Sequence, residues 1–366
     1  MRVMLGLAVT ATVLTGCGSS AEREFTTSID GVVIPSAGGD TSNGLASPPE
    51  VTTTTTTPVA PAPTTDPDPT ATPVELLAGP PSVAPPPNET LTPLGAVSDT
   101  VLVGNVSNGV FGVDADDDPT LAVQITLDGG AVLEQYLADG TVGDYARFTF
   151  QDDPTDRAFV AFSRESDDGL LQALVVSDGG QFNRFFGGGL INQISYTPRT
   201  SGLASFAGDY VGLTNLGPLL VTGNGADPAV IPGATTDVTG TVFLNVDFAE
   251  GTVNGSVFDR VTTINGDEVA LQTIFLTAAD FDESGQFEGQ VEFGDLDSIG
   301  SYNGAVGGND AVSIAGVVSL GEDFLEGATI NGVETTLFDD IEAEAEFGLF
   351  LHDQCPAGGA ACLDSN

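Results

Sequence analysis

The amino-acid sequence predicts an all-β protein: a soluble eight-stranded antiparallel β-barrel, preceded by a β-rich handle-like domain and a disordered N-terminal tether. Two observations lead to this prediction. Segments rich in Val, Phe and Thr are separated by turns of Gly, Asp and Asn, and Gly alone accounts for 47 of the 366 residues. In the C-terminal half, apolar and polar residues alternate with a period of two, which is the spacing of a sheet with one buried face.

The charge of the chain excludes several classes of function. It has 52 acidic residues against 8 basic ones, all of them Arg, and its formal net charge is −44. Proteins grip nucleic-acid backbones through basic clusters, so we expect no nucleic-acid partner. Without Lys there is neither a Walker-type phosphate loop nor a Schiff-base lysine. The acidity indicates either a well-solvated surface or a face that attracts a basic partner.

Residues 1–16 predict a lipoprotein signal peptide. Arg2 precedes an apolar run from Val3 to Leu14, which is too short to span a bilayer and has the length of a secretory signal. The following Thr15-Gly16-Cys17 completes a tetrad that resembles the lipobox of bacterial lipoproteins. That resemblance implies cleavage before Cys17, lipidation of its thiol, and an anchor in the outer membrane. Exposure at the cell surface is the further expectation. An ordinary cleaved signal with an incidental Cys17 is the alternative.

Residues 17–98 predict a disordered tether. They contain most of the prolines of the chain and a run of threonines at 52–57, with few aromatic residues and no hydrophobic period. Such a composition buries too little apolar surface to offset the entropy lost on ordering. We therefore expect a spacer between the lipid anchor and the folded part.

Residues 99–200 predict a β-rich domain. The stretch 157–165 is apolar on both of its alternating faces, which predicts a sheet that packs on something else. Near the end of this region, Arg184, Phe185 and Phe186 precede three glycines, and this composition is typical of partner-binding hot spots. The alternative is that the two aromatic rings fill the join between this domain and the next.

Residues 201–351 predict the barrel. In the stretch 286–293, Phe287, Gly289, Val291 and Phe293 take one face and polar residues take the other. The stretch 341–351 alternates in the same way, which places its glutamates outward, although a helix over 339–351 is the alternative. Residues 300–318 predict a hairpin with positive φ at Gly307 and Gly308, and with Gly304 and Gly316 making room for neighbouring side chains.

The barrel region resembles the C-terminal barrel of transferrin-binding-protein-B-like surface lipoproteins. The motifs that carry the resemblance are short and based on glycine: Tyr210/Gly212, Phe243/Phe248, Val253/Gly255, Phe287/Gly289, Tyr302/Gly304, Gly316 and Phe347/Gly348. The resemblance covers about 150 residues and implies a handle domain ahead of the barrel, which residues 99–200 would supply. It also implies a protein or metal-carrier ligand in the extracellular space, or a TonB-dependent receptor as partner. Two-lobed receptors of this family carry the unit twice, whereas this chain has it once.

The sequence contains no catalytic, metal-binding or cofactor-binding motif, and we expect that the protein is not an enzyme. His352 is the only histidine, and its position after the last strand predicts a surface residue. Residues 280–292 imitate a calcium loop, but Val291 stands where the bidentate Glu belongs, so a hairpin turn is the stronger interpretation. Cys355 and Cys362 predict a disulfide that closes the tail 352–366.

These features together predict a lipid-anchored outer-membrane protein that binds a protein or metal-carrier ligand. The alternative is a structural or adhesive surface lipoprotein without a specific small ligand.

Overall fold

The computed structural model describes residues 92–93, 99–114, 118–127, 130–220, 228–294, 296–321, 324–335 and 345–355. The signal peptide, Cys17, Cys362 and nearly all of the tether lie outside these residues and remain predictions. Within the described part there is no α-helix that is long and apolar enough to cross a membrane.

The first sheet has nine strands, all antiparallel to their neighbours. In chain order they are β1 (Thr92–Pro93), β2 (Asp99–Gly104), β3 (Val106–Val113), β4 (Pro119–Leu127), β5 (Gly130–Val142), β6 (Tyr145–Phe150), β7 (Phe159–Glu165), β8 (Leu171–Asp178) and β9 (Gly187–Gln193). The order across the sheet is β1-β3-β4-β5-β6-β7-β8-β9-β2, so that only β2 is out of sequence.

Asn105 is the residue at which this sheet nearly closes on itself. It separates β2, which pairs with β9, from β3, which pairs with β4. Its N–H donates to the carbonyl of Gly187 at the start of β9 (2.8 Å), and its carbonyl accepts from the N–H of Thr126 in β4 (2.8 Å). One residue therefore connects β9, next to the edge strand β2, with β4 in the other half of the sheet.

The second sheet contains a closed antiparallel barrel of eight strands. The eleven strands of the whole sheet are, in chain order, β10 (Leu203–Thr214), β11 (Thr236–Asp247), β12 (Thr252–Ile264), β13 (Asp267–Ala270), β14 (Ile274–Asp280), β15 (Gln286–Glu292), β16 (Ser298–Gly307), β17 (Ser313–Leu320), β18 (Thr329–Ile330), β19 (Val333–Glu334) and β20 (Glu346–Asp353). The eight barrel strands are β10, β11, β12, β14, β15, β16, β17 and β20. Pairing of β20 with β10 closes the barrel, while β13, β18 and β19 extend one end of β12. A 3-10 helix, Pro228–Val230, lies between β10 and β11. The predicted all-β class and the eight-stranded barrel are confirmed.

The buried apolar side chains form three cores. One fills the first sheet and includes Phe148 and Leu174, and a second fills the barrel and includes Phe206 and Tyr302. The third lies between the two sheets, where Phe162 of the first sheet belongs to the same cluster as residues of β10, β17 and β20. In β7, Phe159 and Ala161 face the first core and Val160 and Phe162 face the third, as the two-faced apolar pattern predicts.

The orientation predicted for the last strand is wrong. The stretch from Glu346 onward is a strand, but Phe347, Leu349 and Leu351 face the first sheet rather than the barrel interior. Glu346 and Phe350 point into the barrel instead, and both are fully buried. The reason is that the first sheet covers this part of the barrel wall, so that its outer face is the more apolar one. Residues 336–344 lie outside the described part of the chain.

Side-chain packing explains two of the glycines in the hairpin of β16 and β17. A Cβ at Gly304 would come within 2.1 Å of the Phe287 ring, and one at Gly316 would come within 2.1 Å of the Phe350 ring. Both glycines therefore make room for an aromatic side chain inside the barrel, as predicted. Gly308 has the predicted positive φ, 81°. Gly307 is the last residue of β16 and does not have the positive φ that was predicted for it.

Candidate binding surface

The connection between β8 and β9, residues 179–186, holds the three residues predicted to contact a partner. Phe186 is buried in the core of the first sheet, under the guanidinium of Arg157, which lies 4.6 Å from the ring centroid. Phe185 is half-buried and stacks on Phe347 of the barrel, with 5.7 Å between ring centroids. Arg184 is exposed. Both aromatic rings thus take part in packing, and a contact between these residues and a partner stays a prediction.

Phe182, which the sequence reasoning missed, is the exposed aromatic residue of this connection. Gln181 and Arg184 exchange two backbone hydrogen bonds, of 2.9 and 3.1 Å, around Phe182 and Asn183. Both central residues have positive φ, 57° and 55°, which defines the two-residue hairpin turn of type I′. Asn suits this turn, but a bulky residue in the left-handed region costs about 1–2 kcal/mol. Phe182 nevertheless occupies it with 58% of its surface exposed.

Arg157 fixes this turn to the first sheet. Its guanidinium pairs with the carboxylate of Asp178 and donates to the carbonyls of Arg184 (3.0 Å) and Gln181 (2.7 Å). Asp178 is buried and also accepts from the N–H of Phe186 (2.9 Å). Burial raises the pKa of Asp178, and the hydrogen bonds from Phe186 and Arg157 oppose that shift. The turn is therefore fixed to the sheet by charge-assisted hydrogen bonds.

Loops of the barrel are bonded to the same turn. The Gln181 side-chain amide donates to the carbonyl of Val230 in the 3-10 helix (2.9 Å), and the N–H of Gly233 donates to the carbonyl of Gly180 (2.8 Å). Leu219 forms a β-bridge with Gly233. Leu219 and Val230 are exposed by 38% and 43%. We refer to Phe182, Leu219 and Val230 as the tip patch.

An acidic turn borders the tip patch. The Gln181 amide also donates to the carbonyl of Thr155 (2.9 Å), which places residues 152–156 beside the tip. Asp152, Asp153 and Asp156 of this turn are exposed. Hydrogen bonds from the N–H and hydroxyl of Thr155 lower the pKa of Asp153. The border of the patch is therefore negatively charged at neutral pH.

His352 lies between the two sheets and not at the surface, so the prediction for this residue is wrong. It is 3% exposed, its Nε2–H donates to the carbonyl of Asp209 (2.8 Å), and its Nδ1 lies 3.3 Å from a guanidinium nitrogen of Arg164. Burial, and then the charge of Arg164, lower the pKa of His352 to about 4. The neutral ring thus accepts a hydrogen bond from Arg164 and donates one to the backbone.

Tyr145 completes this junction from the first sheet. Its hydroxyl donates to the carbonyl of Asp209 (2.9 Å) and accepts from the N–H of Leu351 (3.0 Å). The guanidinium of Arg164 lies 5.5 Å from the centroid of the Tyr145 ring. These contacts satisfy the polar atoms that the junction buries, which is a structural role.

The residues around Asp282 form a hairpin turn. One carboxylate oxygen of Asp282 accepts from the N–H and hydroxyl of Ser284 (2.8 and 2.6 Å) and from the N–H of Gln286 (3.0 Å). Gly285 has a φ of 81° in the turn. In the described part of the chain, no group of three or more His, Cys, Asp or Glu side chains is arranged to hold a metal ion. Cys355 is buried and disulfide-bonded, and its predicted partner Cys362 lies outside the described residues.

No protein-family model matches the chain, and no curated protein matches it. Several solved structures are similar to it. A transferrin-binding protein B double mutant from Haemophilus parasuis Hp5 is 12% identical over 68% of this chain and 54% of its own, with a TM-score of 0.35. The intact Ap-TbpB with its N and C lobes is also 12% identical, over 68% of this chain and 52% of its own, with a TM-score of 0.32. A surface lipoprotein is 14% identical over 70% of this chain and 98% of its own, with a TM-score of 0.31.

The chain spans about half the length of the transferrin-binding protein B structures it resembles. These structures belong to the family whose barrel the glycine-based motifs of the sequence resemble. At these levels of identity and superposition the likeness is a distant one of fold, and the partners of those proteins are not carried over by it.

Proposed function

We propose that the chain is a lipoprotein of the outer membrane, exposed at the cell surface, that binds a protein or metal-carrier ligand and catalyses no reaction. The observation that carries the binding role is the tip patch, where loops of both sheets meet and expose apolar side chains. Exposed apolar residues bordered by polar ones are typical of interaction sites.

The construction of the two sheets supports a role in binding at the outside of the protein. Apolar side chains pack the inside of the barrel, including Phe206, Tyr302 and Phe350, which are fully buried. A ligand must therefore meet the loops and outer faces. Such loops on a rigid β-scaffold are frequent sites of recognition.

Residues 14–17 support the anchor. Cys17 follows Leu14, Thr15 and Gly16 as in a lipobox, and several acyl chains on one residue give a stable membrane attachment. In this proposal residues 17–98 are the tether, apart from Thr92–Pro93, which pair with β3, and residues 99–200 are the handle-like domain. Residues 201–351 are the barrel, whose last strand continues to Asp353, and the rest of 352–366 is the disulfide-closed tail.

Metabolic labelling with a palmitate analogue tests the anchor. We expect label on the wild type and none on Cys17→Ser, together with cleavage of the wild type by protease added to intact cells. An unlabelled wild type, or label that persists in Cys17→Ser, would show that the anchor is wrong.

Crosslinking on intact cells tests the binding role. The full chain is produced in its native host, crosslinked in the presence of extracellular fluid, and purified, with Cys17→Ser as the control that does not reach the surface. We expect one extracellular protein or a TonB-dependent receptor to be crosslinked to the wild type only. A surface-exposed chain that captures neither would favour the structural or adhesive role instead.

A further inference from the structure

Phe182 combines two features that the fold itself does not require. It is a bulky residue in the left-handed region, where non-glycine residues other than Asn, Asp and His are uncommon, and it is also the more exposed of the two exposed Phe residues in the described part of the chain. Asn or Gly at this position would suit the turn and expose no apolar surface. Retained backbone strain of this kind is typical of functional positions.

The turn also presents Phe182 in one fixed orientation. Arg157 donates to the carbonyls on both sides of the two central residues, and Gln181 ties the turn to Val230 and to Thr155. A side chain held on such a support loses little further entropy when a partner covers it. Phe contributes a large apolar area with only two rotatable side-chain bonds, which is a property of anchor residues in interfaces.

The charge around the tip patch selects the chemistry of the partner. Asp152, Asp153 and Asp156 are exposed on the adjacent turn, and Arg157 is neutralised by Asp178. Arg184 adds one exposed positive charge in the tip turn itself, so that the exposed acidic side chains outnumber it three to one. The whole chain carries a formal charge of −44, so a second copy would be repelled. A partner with a basic rim would be attracted and would approach the tip faster.

We propose that Phe182 is the hydrophobic anchor of a protein-docking surface formed by the tip patch, and that its partner is a protein with an apolar pocket surrounded by basic residues. This inference rests on the proposed function, because it names the contact and the partner chemistry of the same binding role.

A phage-displayed library of random short peptides, selected on the immobilised full chain, tests the proposal. We expect the enriched peptides to contain an aromatic or aliphatic centre flanked by Lys or Arg. We expect them to bind Phe182→Asn at least about ten-fold more weakly, since an anchor residue contributes upwards of 1.4 kcal/mol.

Two controls separate loss of the anchor from loss of the fold. Phe182→Asn relieves the strain of the turn, so its thermal midpoint should rise by a few degrees while binding falls, a combination that a merely structural residue would not give. Phe275→Ser removes the other exposed Phe, 44% exposed on β14, and should leave the affinity of the peptides unchanged.

Three results would overturn the proposal. They are the absence of any peptide sensitive to Phe182→Asn, an equal loss of binding in Phe275→Ser, and enrichment of acidic peptides. Peptides that bind both variants as tightly as the wild type would refute the role of Phe182 and leave the proposed function standing. Failure of the proposed function would instead appear in the crosslinking on intact cells.

Discussion

Arg260 and Glu346 form an ion pair inside the barrel, with 2.5 Å between guanidinium nitrogen and carboxylate oxygen and no exposure of either side chain. The second carboxylate oxygen of Glu346 accepts from the hydroxyl of Tyr210 (2.7 Å), and Arg260 also donates to the carbonyl of Gln272 (2.9 Å). The pair joins β12 to β20 across the barrel interior. It is therefore a connection between strands that are not neighbours in the sheet.

Removing one member of this pair should destabilise the barrel strongly. Arg260→Met leaves the Glu346 carboxylate buried without its counter-charge, and we expect the free energy of unfolding to fall by about 3–5 kcal/mol. Urea unfolding of the full chain measures it. The double variant Arg260→Met/Glu346→Leu removes both charges and should be more stable than the single variant. A single variant as stable as the wild type would contradict the prediction.

His352 should make stability depend on pH. Its pKa is about 4 in the folded protein and 6.5 when unperturbed, so the unfolded chain takes up the proton first as pH falls. The contribution is therefore complete above about pH 6.5 and is lost as pH falls towards about 4. Between about pH 7.5 and about pH 5 we expect a loss of about 2 kcal/mol.

The variant His352→Gln isolates this contribution from the carboxylates that titrate in the same range. Its amide can still donate to the carbonyl of Asp209, but it cannot take up a proton. Urea unfolding at several pH values should show a smaller loss for the variant than for the wild type. Equal pH dependence of the two would mean that His352 is protonated in the folded protein as readily as in the unfolded one.

Gly316→Ala should strain the barrel interior. The added methyl group would lie 2.1 Å from the Phe350 ring, and overpacking of this kind costs about 1–3 kcal/mol. Gly321→Ala is the matched control, because a Cβ there meets nothing within 4 Å. Thermal unfolding should give a lower midpoint for Gly316→Ala only. Partial recovery in Gly316→Ala/Phe350→Leu would identify the ring as the cause.

We expect Cys355 to form its disulfide with Cys362. A protease that cleaves before Asp would release residues 353–363 as one peptide that contains both cysteines. We expect its mass in the unreduced protein to be lower than the reduced mass by two hydrogen atoms. Two free thiols in this peptide, or a crosslink to another chain, would refute the pairing.

Periodicity predicted the strands of the barrel well, because most of them have one apolar face. In β15, Phe287 and Val291 point inward as the alternation indicates. The same reasoning failed for β20, where both faces are buried and Glu346 is the inward residue. Its charge is tolerated there because Arg260, 86 residues earlier in the chain, lies opposite, and alternation within a strand carries no information about such a partner.

The two residues that matter most for the candidate surface and the junction were beyond local sequence reasoning. Nothing in the local sequence distinguishes Phe182 from other loop residues, because its positive φ and its exposure are visible only in the structure. The position of His352 after the last predicted strand indicated exposure, but β20 continues to Asp353 and the first sheet covers it. The first property is set by the hydrogen bonds of the β8–β9 turn and of Arg157, and the second by the packing of the first sheet on β20, and composition and spacing do not encode either.

The near-closure at Asn105 also determines how the folded part would respond to a mechanical load. A force that pulls on the chain N-terminal to Asp99 would act on β2. This strand is paired with β9 from Asp99 to Gly104. Because Asn105 is bonded to both β9 and β4, the force would be shared by two strands that are far apart in the sequence. If residues 17–98 form the proposed tether, this sharing of force would make the folded part harder to peel open from its attachment point.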